Sequence, residues 1–386
     1  MTSMKKRIFS MMPLALPTAL YSAPAEKPNV LIILMDDMGY SDISCFGGEI
    51  QTPNIDRLAT NGVKFAQMYN TSKCYPTRSC LLTGVYYQRT SQDFLPNTAT
   101  MGEVLRPAGY NTWWSGKNHA IFNPVNRGFD HYYGLIGGAE NHFNPGSTNS
   151  PGQPVPAISV NIDGGLSWWD DLVVTADFVP QTTNFYDTDA FTDRALQWLD
   201  ASNGDGKPFF LYMAYMSPHW PLHAWPEDIA KYNGVYSNGY AAVRQARYDR
   251  QVAMGLVDPV TAPLPPFDST GLLVWENLSS ADRQKEAMRM QIHAAMVDRV
   301  DQNIGRLISK LEEQGRLTNT LIIFFSDNGA CAEIPTGKNV DPNAPMGSVA
   351  TYEAIGPTWA QVCNTPLRKW KTDSFEGGVC TPMVVS

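Results

Sequence analysis

Residues 29–42 read NVLIILMDDMGYSD, an apolar run from Val30 to Met35 that stops at two carboxylates, Asp36 and Asp37. A continuous apolar run of this length fits a strand buried on both faces of a parallel sheet. Residues 319–329, NTLIIFFSDNG, repeat the pattern late in the chain and end in Asp327 and Asn328. Helical patterns alternate with such strands. PNIDRLATNGVKF (53–65) predicts a helix opened by Pro53 and Asn54 and closed by Gly62; TMGEVLRPAGYNTWWSGK (100–117) predicts helix then strand. TDRALQWLD (192–200) predicts a helix, PFFLYMAYM (208–216) a strand, and residues 292–317 a long amphipathic helix with Ile292, Met296, Val300, Ile304, Leu307, Ile308 and Leu311 on one face. The alternation argues an α/β fold with a large, mostly parallel sheet flanked by helices. Residues 137–181 and 231–281, rich in Pro, Gly, Asn and aromatics, lack the rhythm and are expected to be irregular excursions that carry specificity.

Of the 386 residues 43% are apolar and 17% charged, and 29 basic against 37 acidic side chains give a formal charge of −8. The hydrophobic share is enough for a sizeable core and excludes disorder. The acidic balance excludes a nucleic-acid binder, which needs a basic surface for phosphates. The length fits two domains or one large α/β domain. The first 25 residues read differently: Lys5, Lys6 and Arg7 precede an apolar stretch cut by Pro13 and Pro17, then Ala23-Pro24-Ala25. This is the pattern of a secretory signal, too short to span a bilayer comfortably. It predicts an exported chain, periplasmic or secreted, starting near Glu26 with no membrane span. The six cysteines, Cys45, Cys74, Cys80, Cys331, Cys363 and Cys380, include no C-x-x-C pair and fit neither a zinc site nor a dense disulfide framework.

In open parallel sheets ligands bind outside the carboxyl ends of the strands. Asp36, Asp37, Asp327 and Asn328 would meet there as an oxygen-only set, suited to calcium or magnesium rather than zinc or copper. Between them lies SKCYPTRSCLLTG (72–84), with Cys74, Pro76, Arg78, Leu82, Thr83 and Gly84 at fixed offsets. This segment resembles the C-x-P-x-R signature of the sulfatase family, including its trailing Leu-Thr-Gly. The opening strand and helix and the late helix and strand are similar to the family's as well, so the resemblance covers most of 29–386. It implies an alkaline-phosphatase-like sandwich and conversion of Cys74 to Cα-formylglycine by a dedicated maturation enzyme. The implied activity is hydrolysis of an aryl or carbohydrate sulfate ester, with calcium held by Asp36, Asp37, Asp327, Asn328 and residue 74. An aldehyde hydrate offers one hydroxyl to attack sulfur and a second to expel sulfate afterwards, so water need not hydrolyse a covalent sulfate.

Arg78, one helical turn from Cys74, would hold the hydrate and offset negative charge. WSGKNHAIF (114–122) resembles the family's Gly-Lys-x-His, which implies that Lys117 binds sulfate oxygens and His119 accepts the proton from the second hydroxyl. Asn118 and Ala120 depart from the family's usual Trp and Leu, which leaves the local packing open. In YMSPHWPLHAW (215–225) the Ser-x-His-x-Pro pattern falls on His219, which would interact with the leaving oxygen; His223 is a weaker candidate, and Trp220 and Trp225 fit pocket walls or core alike. In LRKWKTDSFEGG (367–378) spacing assigns the family's lysine to Lys371, with Lys369 competing by type. Relatives continue past this segment into a further strand, helix and small subdomain, so the resemblance implies that the C-terminal portion is missing here. Rival readings are a phosphomonoester or phosphonate ester hydrolase of the same fold and an inactive metal- or carbohydrate-binding fragment.

Overall fold

A strand without a polar residue from Val30 to Met35 must be covered on both faces. The computed structural model describes residues 26–90, 95–160, 166–267 and 271–386; the signal-like stretch 1–25 lies outside them. In chain order the elements are β1 (Asn29–Met35), α1 (Pro53–Asn61), β2 (Val63–Phe65), α2 (Cys74–Thr83), α3 (Met101–Leu105), β3 (Asn111–Gly116), β4 (His131–Leu135), β5 (Ile158–Ser159), β6 (Trp168–Asp170), β7 (Val173–Thr175) and α4 (Asp187–Ala201). There follow β8 (Phe209–Ala214), α5 (Pro226–Ala230), α6 (Gly239–Ala253), α7 (Ser280–Glu313), β9 (Thr320–Ser326), β10 (Gly337–Lys338), α8 (Gly356–Cys363), α9 (Glu376–Val379) and β11 (Met383–Val385).

One sheet runs in the order β2-β11-β9-β1-β8-β3-β4-β6-β7. Its centre is parallel: β1 lies between β8 and β9, and β3 between β8 and β4. Its margins are antiparallel, β11 and β2 on one side and β6 and β7 on the other, so the expected parallel sheet is the middle of a larger mixed one. Strand alternation divides the core in two. Leu31, Ile33 and Met35 of β1 and Phe209, Leu211 and Met213 of β8 pack with α1, α4, α7 and α8. Ile32, Leu34, Phe210 and Tyr212 pack with α2 and α3 on the opposite face. Helix α7 buries every residue of its expected apolar face, and Ser279 caps it by accepting from Asp282 N at 3.1 Å. No helix among the described residues is long and apolar enough to cross a membrane.

Two expectations need correction. Residues 137–181 are not wholly irregular, because they contain β5 and the edge hairpin β6–β7. Residues 231–281 contain α6, whose buried face carries Arg244, Arg247 and Gln251 beside Tyr240 and Val243, so no apolar stripe marks it. Arg247 is enclosed, 2.7 Å from Asp42 Oδ1 and 2.6 Å from Glu49 Oε1. His293 of α7 lies 2.9 Å from the other Asp42 oxygen, which also accepts from Gly39 N at 2.8 Å. One buried carboxylate thus clamps α6 and α7 onto the loop leaving β1.

Burial alone would raise the Asp42 carboxyl, but His293 and Arg247 more than reverse this and lower it from 3.8 to about 2. A depressed carboxyl contributes stability that is complete above the unfolded value and lost as pH falls through the folded one, here about 2 kcal/mol between roughly pH 4 and 2. Asp42→Asn is expected to lower stability at pH 7 and to flatten the fall between pH 4 and 2. Urea unfolding across that range measures both.

Candidate active site

The parallel strands deliver their carboxyl ends to one side of the sheet. Met35 pairs with Ser326, so Asp36–Asp37 and Asp327–Asn328 leave β1 and β9 side by side. Asn328 Nδ2 donates to Asp37 Oδ1 at 2.6 Å, and Asp37 N lies 3.4 Å from Asp327 Oδ1. Asp37 takes a left-handed φ of 66°, which Asp tolerates better than most residues. Strand β3 ends at Gly116, where φ is 116° and a Cβ would stand 2.0 Å from Ala214 O; glycine is required there, and Lys117 follows. Lys117 Nζ pairs with Asp36 Oδ2.

Helix α2 begins at Cys74, so Arg78 lies one turn further on the same face. Arg78 Nε and Nη2 donate to Asp327 Oδ2 at 3.0 and 2.8 Å, and Nη2 is 3.5 Å from Asp36 Oδ2. The loop after β8 supplies His219, with Nε2 3.5 Å from Asp37 Oδ2; the loop before α9 supplies Lys371, with Nζ 2.8 Å from Asp37 Oδ1. His119 packs against Gly138, where a Cβ would stand 2.9 Å from Nε2. Cys74, His119, His219 and Lys371 line a cleft of about 380 Å³, together with Tyr75, Trp220 and Glu333.

Burial would raise the Cys74 thiol, but Lys371, Lys117 and His119 outweigh it and hold it well below the usual range. Against burial, Lys117, His219, Arg78 and Lys371 likewise hold Asp36 below the carboxylate range. Asp37 goes the other way: burial, opposed by Lys371, pushes it up to about 6. Burial and Asp36 push Asp327 well up, and burial and Lys371 push His219 well down. Asp36 Oδ1 and Asn328 Oδ1 are buried with no hydrogen-bond partner among the described residues. Asp36, Asp37 and His219 each offer a ligand atom within 4.8 Å of the others. Oxygen donors left unpaired in a nest of carboxylates fit a hard divalent cation.

A family model described as Sulfatase matches residues 28–386. The chain belongs to the sulfatase family. It is 32% identical to an arylsulfatase of Klebsiella aerogenes, across 99% of this chain and 85% of that protein. It is 33% identical to an uncharacterized sulfatase of Schizosaccharomyces pombe, across 94% of this chain and 70% of that one. Among solved structures it is similar to Ps i-CgsB in complex with k-i-k-neocarrahexaose, with a TM-score of 0.62 and 26% identity, covering 93% of this chain and 65% of that one.

This sulfatase-family fold brings ten of the residues named from the sequence to one end of its sheet: Asp36, Asp37, Cys74, Arg78, Lys117, His119, His219, Asp327, Asn328 and Lys371. Lys371 reaches Asp37, whereas Lys369 Nζ lies over the Trp370 ring at 5.1 Å. His223 is packed away, with Nε2 2.8 Å from Thr351 O, and burial pushes it down to about 3. Trp220 lines the cleft, and Trp225 lines a separate, more apolar one of about 710 Å³ with Phe143 and Met288. All six cysteines are free.

The sequence reading missed His142 and Asp187. Both are fully buried; His142 Nδ1 lies 2.9 Å from Asp187 Oδ2, and Nε2 lies 3.0 Å from His219 O. The pair therefore fixes the backbone that carries His219. No motif or periodicity announces a histidine in GGAENHFNP, and only the folded chain brings it beneath residue 219. Asp187→Asn is expected to cost about 1.5–3 kcal/mol, the range for a hydrogen bond to a charged group. The urea midpoint at pH 7 reads this loss.

Proposed function

We propose that the chain hydrolyses sulfate esters of aryl alcohols or carbohydrates, with residue 74 as nucleophile after conversion of Cys74 to formylglycine. In this reading calcium, with magnesium as the alternative, is held by Asp36, Asp37, Asp327, Asn328 and residue 74. Residues 1–25 are an export signal, residues 26–386 form the catalytic domain, and a formylglycine-generating enzyme is the maturation partner. The carrying observation is the position of Cys74: first residue of α2, one turn before Arg78, in a cleft shared with His119, His219 and Lys371 beside buried carboxylates. The arylsulfatase relative supports an aryl ester, and the structural neighbour's oligosaccharide complex supports a carbohydrate one.

A bound calcium ion supplies Lewis-acid polarisation of sulfate oxygens and of the nucleophilic hydroxyl. Lys117 is suited to bind a sulfate oxygen and to offset charge developing there. Lys371 and His219, side by side at Asp37, are suited to hydrogen-bond the leaving oxygen and return a proton to it. His119, beside residue 74, is suited to take the proton of its second hydroxyl, so that sulfate departs and the aldehyde re-forms. Arg78 neutralises Asp327 and Asp36 and keeps the start of α2 against them.

Produced from Glu26 together with a formylglycine-generating enzyme, the protein is expected to carry a formyl residue at 74 by peptide mass spectrometry. It should release sulfate from 4-nitrophenyl sulfate faster than phosphate from 4-nitrophenyl phosphate, and Cys74→Ala should lower kcat/KM about 1000-fold or more. An unmodified thiol in folded protein without sulfate release sinks the reading, and faster phosphate turnover favours the phosphoester or phosphonate alternative. EDTA is expected to lower the melting temperature and calcium to restore it, the ion adding about 2.7 kcal/mol of stability at one hundred times Kd. A melting temperature and turnover indifferent to both would exclude the metal.

A further inference from the structure

The cleft over Cys74 has two unlike walls. On one side Tyr75 stands edge-on to Tyr87 and His119, at 5.3 and 5.7 Å between ring centroids, with Lys73 Nζ 5.7 Å from its own ring centre. On the other side Trp220 packs 4.5 Å from the His219 ring, and its indole Nε1 donates to Glu333 Oε2 at 3.2 Å. That hydrogen bond has two consequences. The indole's only donor is used, so Trp220 offers the cleft an apolar ring face, the kind of surface on which a pyranose or an aryl ring stacks. It also fastens an exposed carboxylate to the cleft wall, where its remaining lone pairs can only accept hydrogen bonds.

A negative charge at the mouth of a site that takes an anion is costly unless it discriminates among anions. At the deep end Lys117, Lys371 and Arg78 are each paired with a carboxylate, and only together with the proposed cation would they hold one sulfate group. A hydroxyl or ammonium next to the ester would donate to Glu333; a second sulfate, sulfamate or carboxylate on the Trp220 side would be repelled and left unpaired. Lys73 lines the same cleft and stands over the Tyr75 ring, whereas the indole of Trp220 holds Glu333.

We propose that Glu333, held by Trp220, is a specificity-determining residue that selects esters with one anionic group, namely monosulfated neutral or amino sugars, over densely sulfated or uronate-bearing ones. The proposal rests on the sulfate-ester reading above. It is tested with three esters that share a ring and differ in charge at position 2: glucosamine 6-sulfate, N-acetylglucosamine 6-sulfate and glucosamine 2-N,6-O-disulfate. Wild-type kcat/KM is expected to fall in that order. Glu333→Gln keeps an oxygen for Trp220 Nε1 and removes only the charge, so the ratio between first and last should shrink about tenfold; Glu333→Lys should invert the order. A ratio within twofold of wild type in both variants overturns the proposal. The same three Kd values measured by calorimetry on Cys74→Ala, with and without Glu333→Gln, separate this test from the activity. If neither these esters nor 4-nitrophenyl sulfate is turned over, the sulfate-ester reading fails, while the binding ratio still decides the role of Glu333. Absence of binding by all three overturns the proposal.

Discussion

Three carboxylates, Asp36, Asp37 and Asp327, are buried at the ends of two neighbouring strands, and removing them from water is the demand that shapes the rest of the site. The penalty for an unpaired buried ion is several kcal/mol, so each needs a counter-charge in good geometry. The chain meets it from three separate segments: Arg78 from α2, Lys117 from the end of β3, and Lys371 from the loop before α9. Three formal positive charges against three negative ones leave little attraction for an anion. A divalent cation, as proposed, would make the nest net positive by two, which suits a sulfate monoester, and two buried oxygens without a hydrogen-bond partner among the described residues would be open to it. Arginine and lysines that balance the carboxylates without the ion would form, with it, an anion site.

The fold's contribution is registration. Because β1 and β9 pair residue for residue up to Met35 and Ser326, their following carboxylates cannot separate without breaking the ladder. Strands β8 and β3 extend the same parallel edge, which places His219 and Lys117 within reach. Left-handed backbone at Asp37 and His119, both non-glycine, marks where the chain departs from relaxed geometry at the site itself. Behind this edge, Asp42 with Arg247 and His293, and Asp187 with His142, brace the loops carrying Asp37 and His219.

The parts legible in the sequence are those that chemistry forces into a local pattern. Val30–Met35 of β1 and Ile322–Phe325 of β9 are apolar runs because the sheet's centre is packed on both faces, and α7 shows its period because one face meets a hydrophobic layer. The signature around Cys74 is readable because an α-helical turn fixes the offset to Arg78. Helix α6 was illegible for the opposite reason: it packs through the Arg247 guanidinium, paired with Asp42 and Glu49, and through Gln251 Nε2, which donates to Phe46 O and Thr365 O, so its buried face looks exposed in composition. Strands β6 and β7 are three residues each, too short to show alternation. His142 works through a backbone carbonyl 77 residues away, a relation with no sequence trace.

In the proposed function, chemistry and recognition in this cleft are separated by single residues. Cys74 is followed by Tyr75 and His219 by Trp220; in each pair the first residue is buried and the second, more exposed, lines the cleft. Adjacent side chains at a helix start or in a turn diverge, so a backbone position that fixes a reacting group inside also fixes an aromatic ring at the mouth. The deep groups are constrained by strand register and by the need to neutralise buried charge, and they have little freedom to vary. The outer groups answer only to the substrate. Glu333 lies past the end of β9, beyond the carboxylates that the sheet locks in place, and its carboxylate is held to the cleft by an indole hydrogen bond. Selectivity in such a site can therefore change at its mouth while the strand ends beneath it stay the same.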